Sequence, residues 1–350
     1  MVSLLAFVAV LGLLIGFHEM AHLLVAKLFG VKVIRFSFGF GPILARFKIG
    51  ETEYAISLLP IGGYVQPLSE DSPAADQEPD NPGRYFESKP AWQRFLIYLV
   101  GPLSNLLLAF LLICGLFCFV GSPKPTTTLD SVLKDSPAEQ AGLKAGDKII
   151  AINGEAVSSW EEITVKIQAS KGAPVNLKVE REKELLSIAA TPKLKETPQG
   201  KHWILGIAPK SVYEPQGPIT SMKLGFNATL DILKIFADFF HQLFTGKISP
   251  KDSFGGPVTI YIEVGKAAKD GLVSLIWFSM LLSLNLFVMN ILPIPLLDGG
   301  QIYPALFETL TGIKPGKRIM VLWQYLGIGI LIFILLLGLH NDFLNLFKKN

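Results

Sequence analysis

The residues whose chemistry stands out lie close to the amino terminus, in the sequence His18-Glu19-Met20-Ala21-His22. On an α-helix, imidazoles four residues apart lie on one face, where both can bind the same metal ion. Glu19 lies beside them and can activate a water molecule on that metal. The spacing therefore predicts His18 and His22 as zinc ligands and Glu19 as the general base of a hydrolase.

The alternative is that His18 and His22 are hydrogen-bonded core residues between two helices. Met1–Phe17 contains no acidic or basic residue, so a helix that continues from it would carry these side chains at membrane depth. Ionisable groups at that depth need a strong compensating partner. A divalent cation is such a partner, and we favour the metal site for that reason.

A catalytic zinc commonly takes three protein ligands and keeps a fourth position open. The three remaining histidines are poorly placed for this, since they fall in a predicted soluble domain, on a predicted surface helix and at the far end of the last apolar stretch: His202, His241 and His340. Asp298 instead directly follows an apolar stretch. If that stretch runs inward like the first one, Asp298 lies at the same depth as His18 and His22, and we predict it as the third ligand.

The sequence around Asp298 is Asn290-Ile-Leu-Pro-Ile-Pro-Leu-Leu-Asp298-Gly-Gly. Its prolines remove backbone donors and its glycines permit tight turns, so the helix should be interrupted there. Irregular backbone at membrane depth survives where protein or a water-filled cavity surrounds it. Asn290 could offer its amide to a substrate strand or an oxyanion, or could make a hydrogen bond between helices, and the residues alone leave both open.

The elements that must position these residues belong to a membrane protein. Half of the 350 residues are hydrophobic, 17% are charged, and the mean hydropathy is +0.43. Four stretches lack charged residues: Met1–Phe17, Phe95–Pro123, Leu272–Leu292 and Met320–Leu339. Three are long enough to cross a bilayer, and the first becomes so if its helix continues to Ala26. The predicted fold is a polytopic α-helical membrane protein with four transmembrane helices.

Basic residues indicate the orientation of these helices, because Lys and Arg resist translocation. They lie between the first and second stretches and between the third and fourth: Lys27, Lys32, Arg35, Arg46, Lys48, Arg84, Lys89, Arg94, Lys314, Lys317 and Arg318. Both connections should be cytoplasmic. The termini and the long middle region should then lie on the other side.

Short β-prone runs in the first connection predict a small membrane-associated β-sheet: Val31–Phe38, Ile43–Ile49 and Tyr54–Leu59. Leu68–Arg84 is acidic and proline-rich, which predicts a solvated loop. In the middle region, Ser136 and Ser159 each precede a glutamate by three residues, as helix N-caps do. We expect a compact α+β domain there.

From Ile219 to Phe244, apolar residues recur at helical spacing between charged ones, which predicts an amphipathic helix. It would lie along the membrane surface or pack as an ordinary helix of the soluble domain. The expected parts are 1–122 and 272–350 as two catalytic membrane parts, 123–213 as the inserted domain, and 214–271 as the amphipathic helix and a linker.

Taken together, the His-Glu-Met-Ala-His motif and the Pro-x-Pro-x-Leu-Asp-Gly motif resemble the site-2 protease family of intramembrane zinc metalloproteases, and within it the bacterial regulators of the sigma-E type. The resemblance covers nearly the whole chain. Phe36–Pro42, Glu53-Tyr54 and Pro60–Val65 resemble that family's membrane-reentrant β-element, and Gly101-Pro102 with Asn105 resembles the start of its second core span. Gly142–Asp147 followed by Ile152-Asn153-Gly154 resembles a PDZ domain. There is room for one such domain, where the sigma-E regulator has two.

The resemblance implies zinc bound by His18, His22 and Asp298, Glu19 as the general base, and Asn290 as a substrate-contacting residue. It also implies a multi-pass protein of the bacterial cytoplasmic membrane, with the PDZ domain extracytoplasmic. Its substrates would be single-span membrane proteins, such as anti-sigma factors already shortened by a site-1-type protease, and signal-peptide remnants.

Two other functions remain open at this point. A noncatalytic membrane scaffold could hold peptide ends by strand addition to the PDZ domain, although it leaves Glu19 and Asp298 unexplained. In a secreted soluble zinc protease, the first apolar stretch would be a signal peptide. The three further apolar stretches argue against this function. Nucleic acid is not an expected partner, because the net charge of +3 is dispersed.

Overall fold

The structure, a computed structural model, describes residues 2–70, 82–197, 200–249 and 255–347. Part of the predicted loop Leu68–Arg84, residues 71–81, lies outside this description. The chain divides into two compact units, one comprising Met1–Leu116 with Pro218–Asn350 and the other Phe117–Gly217.

The described helices are, in chain order, α1 (Val2–Leu28), α2 (Ala91–Phe119), α3 (Pro137–Gln140), α4 (Trp160–Ala169), α5 (Pro218–Phe244), α6 (Pro257–Asp270), α7 (Leu272–Ile291), α8 (Gly299–Thr311) and α9 (Lys317–Phe347). The strands are β1 (Val33–Ile49), β2 (Thr52–Pro67), β3 (Ser122–Val132), β4 (Lys148–Ile152), β5 (Glu155–Ala156), β6 (Val175–Arg181), β7 (Glu184–Ala190), β8 (Lys193–Thr197), β9 (Gly200–Ile204) and β10 (Ile207–Glu214).

Within the described residues, four helices are long and apolar enough to cross a membrane, namely α1, α2, α7 and α9 up to Leu344. Their sequences are predominantly apolar, which is typical of helices surrounded by lipid or by other apolar helices. As predicted, α1 does not end with its uncharged stretch. It continues through both histidines of the motif to Leu28.

Three of these helices pack together with α6 in the first unit. A buried cluster contains one or two side chains from each of α1, α2, α6 and α7: Val10, Leu14, Leu108, Val264 and Leu282. Ser283 of α7 donates a hydrogen bond to the backbone carbonyl of Asn105 in α2, at 2.8 Å. This polar contact inside an apolar interface fixes the position of α7 along the axis of α2.

The first connection forms the expected antiparallel β-element, but two predicted strands merge into one. β1 runs through both predicted runs, and Gly39 and Gly41 adopt positive φ values of 92° and 87° where it bends. The first part of β1 pairs with β2 along both of its edges, so that Arg35 lies opposite both Gln66 and Glu53. The sheet contacts α1 through Phe38, whose ring lies against Gly12 and Gly16.

The region expected to be a linker after the amphipathic helix contains α6. Its amino terminus is capped from a distant helix: Asp342 of α9 is buried and accepts hydrogen bonds from the backbone N–H groups of Gly256, Val258 and Thr259 and from the Thr259 hydroxyl. The Asp342 carboxylate thus satisfies donors that α6 leaves unpaired, and it ties α9 to α6.

The second unit is a small α+β structure. Its main sheet has the order β10-β3-β4-β6-β7, with β5 paired to β4, and β8 and β9 form a separate hairpin. Both predicted caps are confirmed, because Ser136 accepts from Glu139 N and Ser159 accepts from Glu162 N. β4 and β5 are joined by a tight turn at Asn153-Gly154, where both residues have the positive φ that such a hairpin requires.

Candidate metal centre

The structure brings His18, His22 and Asp298 together at the junction of α1 with the segment between α7 and α8. The two Nε2 atoms lie 3.2 Å apart, and they lie 3.0 and 3.4 Å from the two carboxylate oxygens of Asp298. Ligand atoms ~2.1 Å from a tetrahedral zinc ion are separated by ~3.4 Å. The three side chains are therefore spaced as such an ion requires.

Asp298 occupies the N-cap position of α8, yet its side chain caps nothing. An aspartate there usually accepts a hydrogen bond from the first turn of its own helix. Here the carboxylate faces the histidines, and its Oδ2 is buried without a hydrogen bond. The 3.0 Å contact from His18 Nε2 thus lacks hydrogen-bond geometry, and a buried carboxylate oxygen without a donor is suited to a cation.

The segment before Asp298 is irregular, as its prolines and glycines predict. α7 ends at Ile291, and Leu296 adopts a φ of 76°, which is uncommon for a residue with a side chain. A Cβ at Gly300 would lie 2.5 Å from Pro295 Cα and 2.7 Å from the carbonyl oxygen of Ile294. Glycine is required there because the chain folds back on itself at that point.

Each histidine ring is held through the nitrogen that faces away from the site. His22 Nδ1 donates to the backbone carbonyl of Ile97 at 2.6 Å, which leaves the lone pair of a neutral imidazole on Nε2. His18 Nδ1 lies 3.1 Å from the side-chain amide of Asn105. Such partners fix the tautomer and the direction of metal-binding imidazoles.

The Asn105 amide is fully buried, and its Oδ1 has no hydrogen-bond partner as it is oriented. Metal binding through His18 Nε2 requires the proton on Nδ1. The opposite orientation of the amide places Oδ1 against that N–H and makes it the acceptor. Asn105 therefore completes the support of His18 from α2.

The backbone of α2 comes unusually close to both rings at Gly101. A Cβ at this position would overlap His22 Nε2 and would lie 2.8 Å from His18 Cε1. Glycine lets the helix approach the imidazoles from the side opposite their attachment to α1. Any side chain at this position would displace the ring nitrogens.

Glu19 lines two cavities that meet at the site. One has a volume of about 400 Å³ and is bordered by His22, Tyr98, Asp298 and the β2 residues Gly63–Val65. The other has a volume of about 360 Å³ and is bordered by His18, Asn105 and Asn290. Glu19 and all three ligand candidates therefore border cavities large enough to hold water.

All five predicted site residues thus border one or both of these cavities, and Glu19 and Asp298 border both: His18, Glu19, His22, Asn290 and Asp298. His202, His241 and His340 lie on β9, α5 and α9 and do not contribute to the metal cluster found among the described residues. The Ile97 carbonyl and the close approach of Gly101 were given no role by sequence reasoning. Asn105 carries a signal that could have shown its importance, because an amide inside an apolar span needs a polar partner.

Known proteins of one family match this sequence over most of its length. Residues 6–334 match peptidase family M50. A predicted zinc metalloprotease of Clostridium acetobutylicum is 37% identical over 89% of this chain and 88% of that protein. The regulator of sigma-W protease RasP of Bacillus subtilis is 28% identical over 99% of both chains. The solved PDZ domain of the SdrC-like protein of Listeria innocua is 28% identical, covers 26% of this chain and 99% of its own, and has a TM-score of 0.22.

Proposed function

The chain belongs to peptidase family M50, the site-2 proteases, and we propose that it is an intramembrane zinc metalloprotease that cleaves transmembrane segments of single-span membrane proteins. The observation that carries the proposal is the convergence of two Nε2 atoms and a carboxylate, spaced for one tetrahedral ion, beside Glu19. Both histidines lie inside a helix that is long and apolar enough to cross a membrane. A metal centre inside such a helix is positioned to cleave peptide bonds within the transmembrane segments of other proteins.

In this proposal His18, His22 and Asp298 hold the zinc ion. When bound, zinc lowers the pKa of a water molecule to about 7 and polarises a peptide carbonyl. The Ile97 carbonyl and Asn105 keep both rings turned so that each Nε2 faces the ion. The Glu19 carboxylate accepts a proton from the attacking water and returns it to the leaving amide nitrogen, so that it ends the reaction as it began.

Substrate binding is proposed for the two cavities on either side of Glu19. Asn290 borders the second cavity together with Leu296. Its side-chain amide can donate to a carbonyl of the bound segment and so orient the scissile bond. Because helical amides are already hydrogen-bonded, the substrate has to unwind before its carbonyl can be attacked.

The relatives named above are bacterial, and RasP is named as a regulator of sigma-W protease. We therefore place this protein in the bacterial cytoplasmic membrane and include anti-sigma factors and signal-peptide remnants among its substrates. The asymmetry of Lys and Arg supports an extracytoplasmic position for the second unit and a cytoplasmic position for the β1/β2 sheet. An upstream protease of the site-1 type would supply the shortened substrates.

The test is cleavage of a panel of single-span substrates by the purified protein in detergent, with zinc measured on the same samples. Glu19→Gln should keep its zinc and lose cleavage by a factor of 10² to 10⁴, because only the base is removed. Asp298→Ala should lose both zinc and cleavage. Asp238→Ala is the matched control, since Asp238 is exposed on α5.

Three outcomes would contradict parts of this assignment. If the wild-type protein still cleaves in the presence of a zinc chelator, the reaction does not depend on zinc and the proposed mechanism is wrong. A Glu19→Gln variant that cleaves at the wild-type rate would remove Glu19 from the mechanism. Full zinc stoichiometry in Asp298→Ala would show that another side chain completes the site.

A further inference from the structure

Prolines around Asp298 leave two backbone carbonyls without their helical donors. In a helix, the carbonyl of each residue accepts from the N–H four residues later. Pro304 lies inside α8 and has no N–H, so it cannot serve the carbonyl of Gly300. Pro295 follows Ile291 by four residues and cannot serve that carbonyl either. Both carbonyls belong to the ends of the helices that flank the Asp298 segment.

Two side chains supply the missing donors. Trp323 donates from its indole Nε1–H to the Gly300 carbonyl at 2.8 Å. Tyr303 donates from its hydroxyl to the Ile291 carbonyl at 3.1 Å. The first of these bonds comes from α9, a helix that contributes none of the three side chains of the metal cluster.

α9 touches the same segment a second time, one turn further on. Gly327 is buried, and a Cβ there would overlap the side chain and carbonyl oxygen of Pro295. Residues four apart lie on one face of a helix, so Trp323 and Gly327 present a single face to the segment. One contact lies three residues before Asp298 and the other two residues after it.

We infer that Trp323 is a positioning residue of the metal centre, which acts by holding the Gly300 carbonyl and thereby the Asp298 carboxylate in place. The inference rests on the proposed function, in which Asp298 binds zinc. Without the indole N–H, the buried Gly300 carbonyl loses the donor that replaces the missing N–H of Pro304. Loss of a hydrogen bond to a buried carbonyl is unfavourable. The first turn of α8 then shifts to find another partner, and Asp298 moves with it.

The test is the zinc affinity of the full-length protein, measured by competition with a chelator of known affinity. Trp323→Phe keeps an aromatic ring and removes only the donor, and it should weaken zinc binding about 10- to 100-fold. Tyr325→Phe, on the same helix at a side chain that is 68% exposed, should leave the affinity unchanged.

A rescue separates loss of the donor from general damage. Pro304→Ala restores the N–H that a regular helix would offer to Gly300. The double variant Trp323→Phe/Pro304→Ala should therefore recover most of the lost affinity. A purely structural role for the Trp323 ring predicts no recovery, because the second change does not refill the space.

A second pair of variants tests the contact itself if Trp323→Phe fails to accumulate. Gly327→Ala should weaken zinc binding, whereas Gly329→Ala should not, because a Cβ at Gly329 meets nothing within 4 Å. Wild-type affinity in Trp323→Phe or in Gly327→Ala would overturn the inference while leaving the proposed function intact. Failure of the wild-type protein to bind zinc would instead overturn the proposed function.

Discussion

At the scale of single residues, the metal centre depends on how closely the α2 backbone approaches the imidazoles. Gly101 leaves room for His18 and His22 to place their Nε2 atoms against Asp298, and one methyl group would occupy that room. The ring positions are therefore set by a residue that provides no ligand. The role of Gly101 is steric, so it can be tested without changing any polar group of the site.

Gly101→Ala should lower the zinc affinity at least tenfold, because the methyl group displaces the ring nitrogens that have to converge. Gly115→Ala, in the same helix, has nothing within 4 Å of its Cβ and serves as the matched control. Both changes raise helix propensity equally, so that effect cancels between them. Chelator competition on the two purified variants measures the difference, and equal affinities would refute the steric role.

At the scale of elements, the second unit contains a buried ion pair that connects the turn before β4 to the end of β6. Asp147 is fully buried and accepts two hydrogen bonds from Arg181, at 2.7 and 2.8 Å, and one from Lys144 N at 2.8 Å. Burial alone raises the pKa of the Asp147 carboxyl. The hydrogen bonds from Arg181 and Lys144 outweigh burial, and the pKa lies below its ordinary value.

A carboxyl whose pKa is lowered by folding stabilises the fold at every pH above its unfolded pKa, and this stabilisation is lost as the pH falls through the folded pKa. The unit should therefore be stable at neutral pH and lose stability below about pH 4. Asp147→Asn should destabilise the second unit at pH 7 by about 2 kcal/mol, because the substitution weakens charged hydrogen bonds. The stability of the variant should also fall less than that of the wild type as the pH is lowered.

Hydrogen exchange of the β4 and β6 amides in the full-length protein, corrected for intrinsic rates, measures this opening free energy. Glu155→Gln is the control, since Glu155 pairs with Lys166 at the surface, where ion pairs contribute little. An acid response as steep in Asp147→Asn as in wild type would assign the pH dependence to other groups.

At the scale of the whole molecule, the orientation of the four spans decides which compartment each segment occupies. The distribution of Lys and Arg predicts that the connection between α1 and α2 is cytoplasmic and that the second unit is not. A cysteine at Glu70 should then be protected from an impermeant maleimide in intact cells, whereas a cysteine at Ser131 should be labelled. Both positions are exposed in their own units.

The labelling requires a background without Cys114 and Cys118, the two cysteines of the chain, each replaced by alanine. Permeabilised cells provide the control, because both introduced cysteines should react there. Labelling at position 70 but not at 131 in intact cells would reverse the topology, and equal labelling at both would contradict it.

Features that depend on neighbours within a few residues could be predicted from the sequence. The histidines of α1 share a face because the helical period places them there, and both caps of the second unit follow from a serine and a glutamate three residues apart. The interruption at Asp298 follows from two prolines and two glycines. The four apolar stretches follow from the thickness of a bilayer.

The contacts that complete the site were decided only by the tertiary structure. Asn105 and the Ile97 carbonyl meet histidines 87 and 75 residues away, and α6 receives its cap from Asp342, 86 residues from Gly256. Trp323 replaces a donor that Pro304 lacks. Periodicity shows which residues share a face of a helix, but the partner of that face depends on how distant elements pack, and packing is a property of the whole chain.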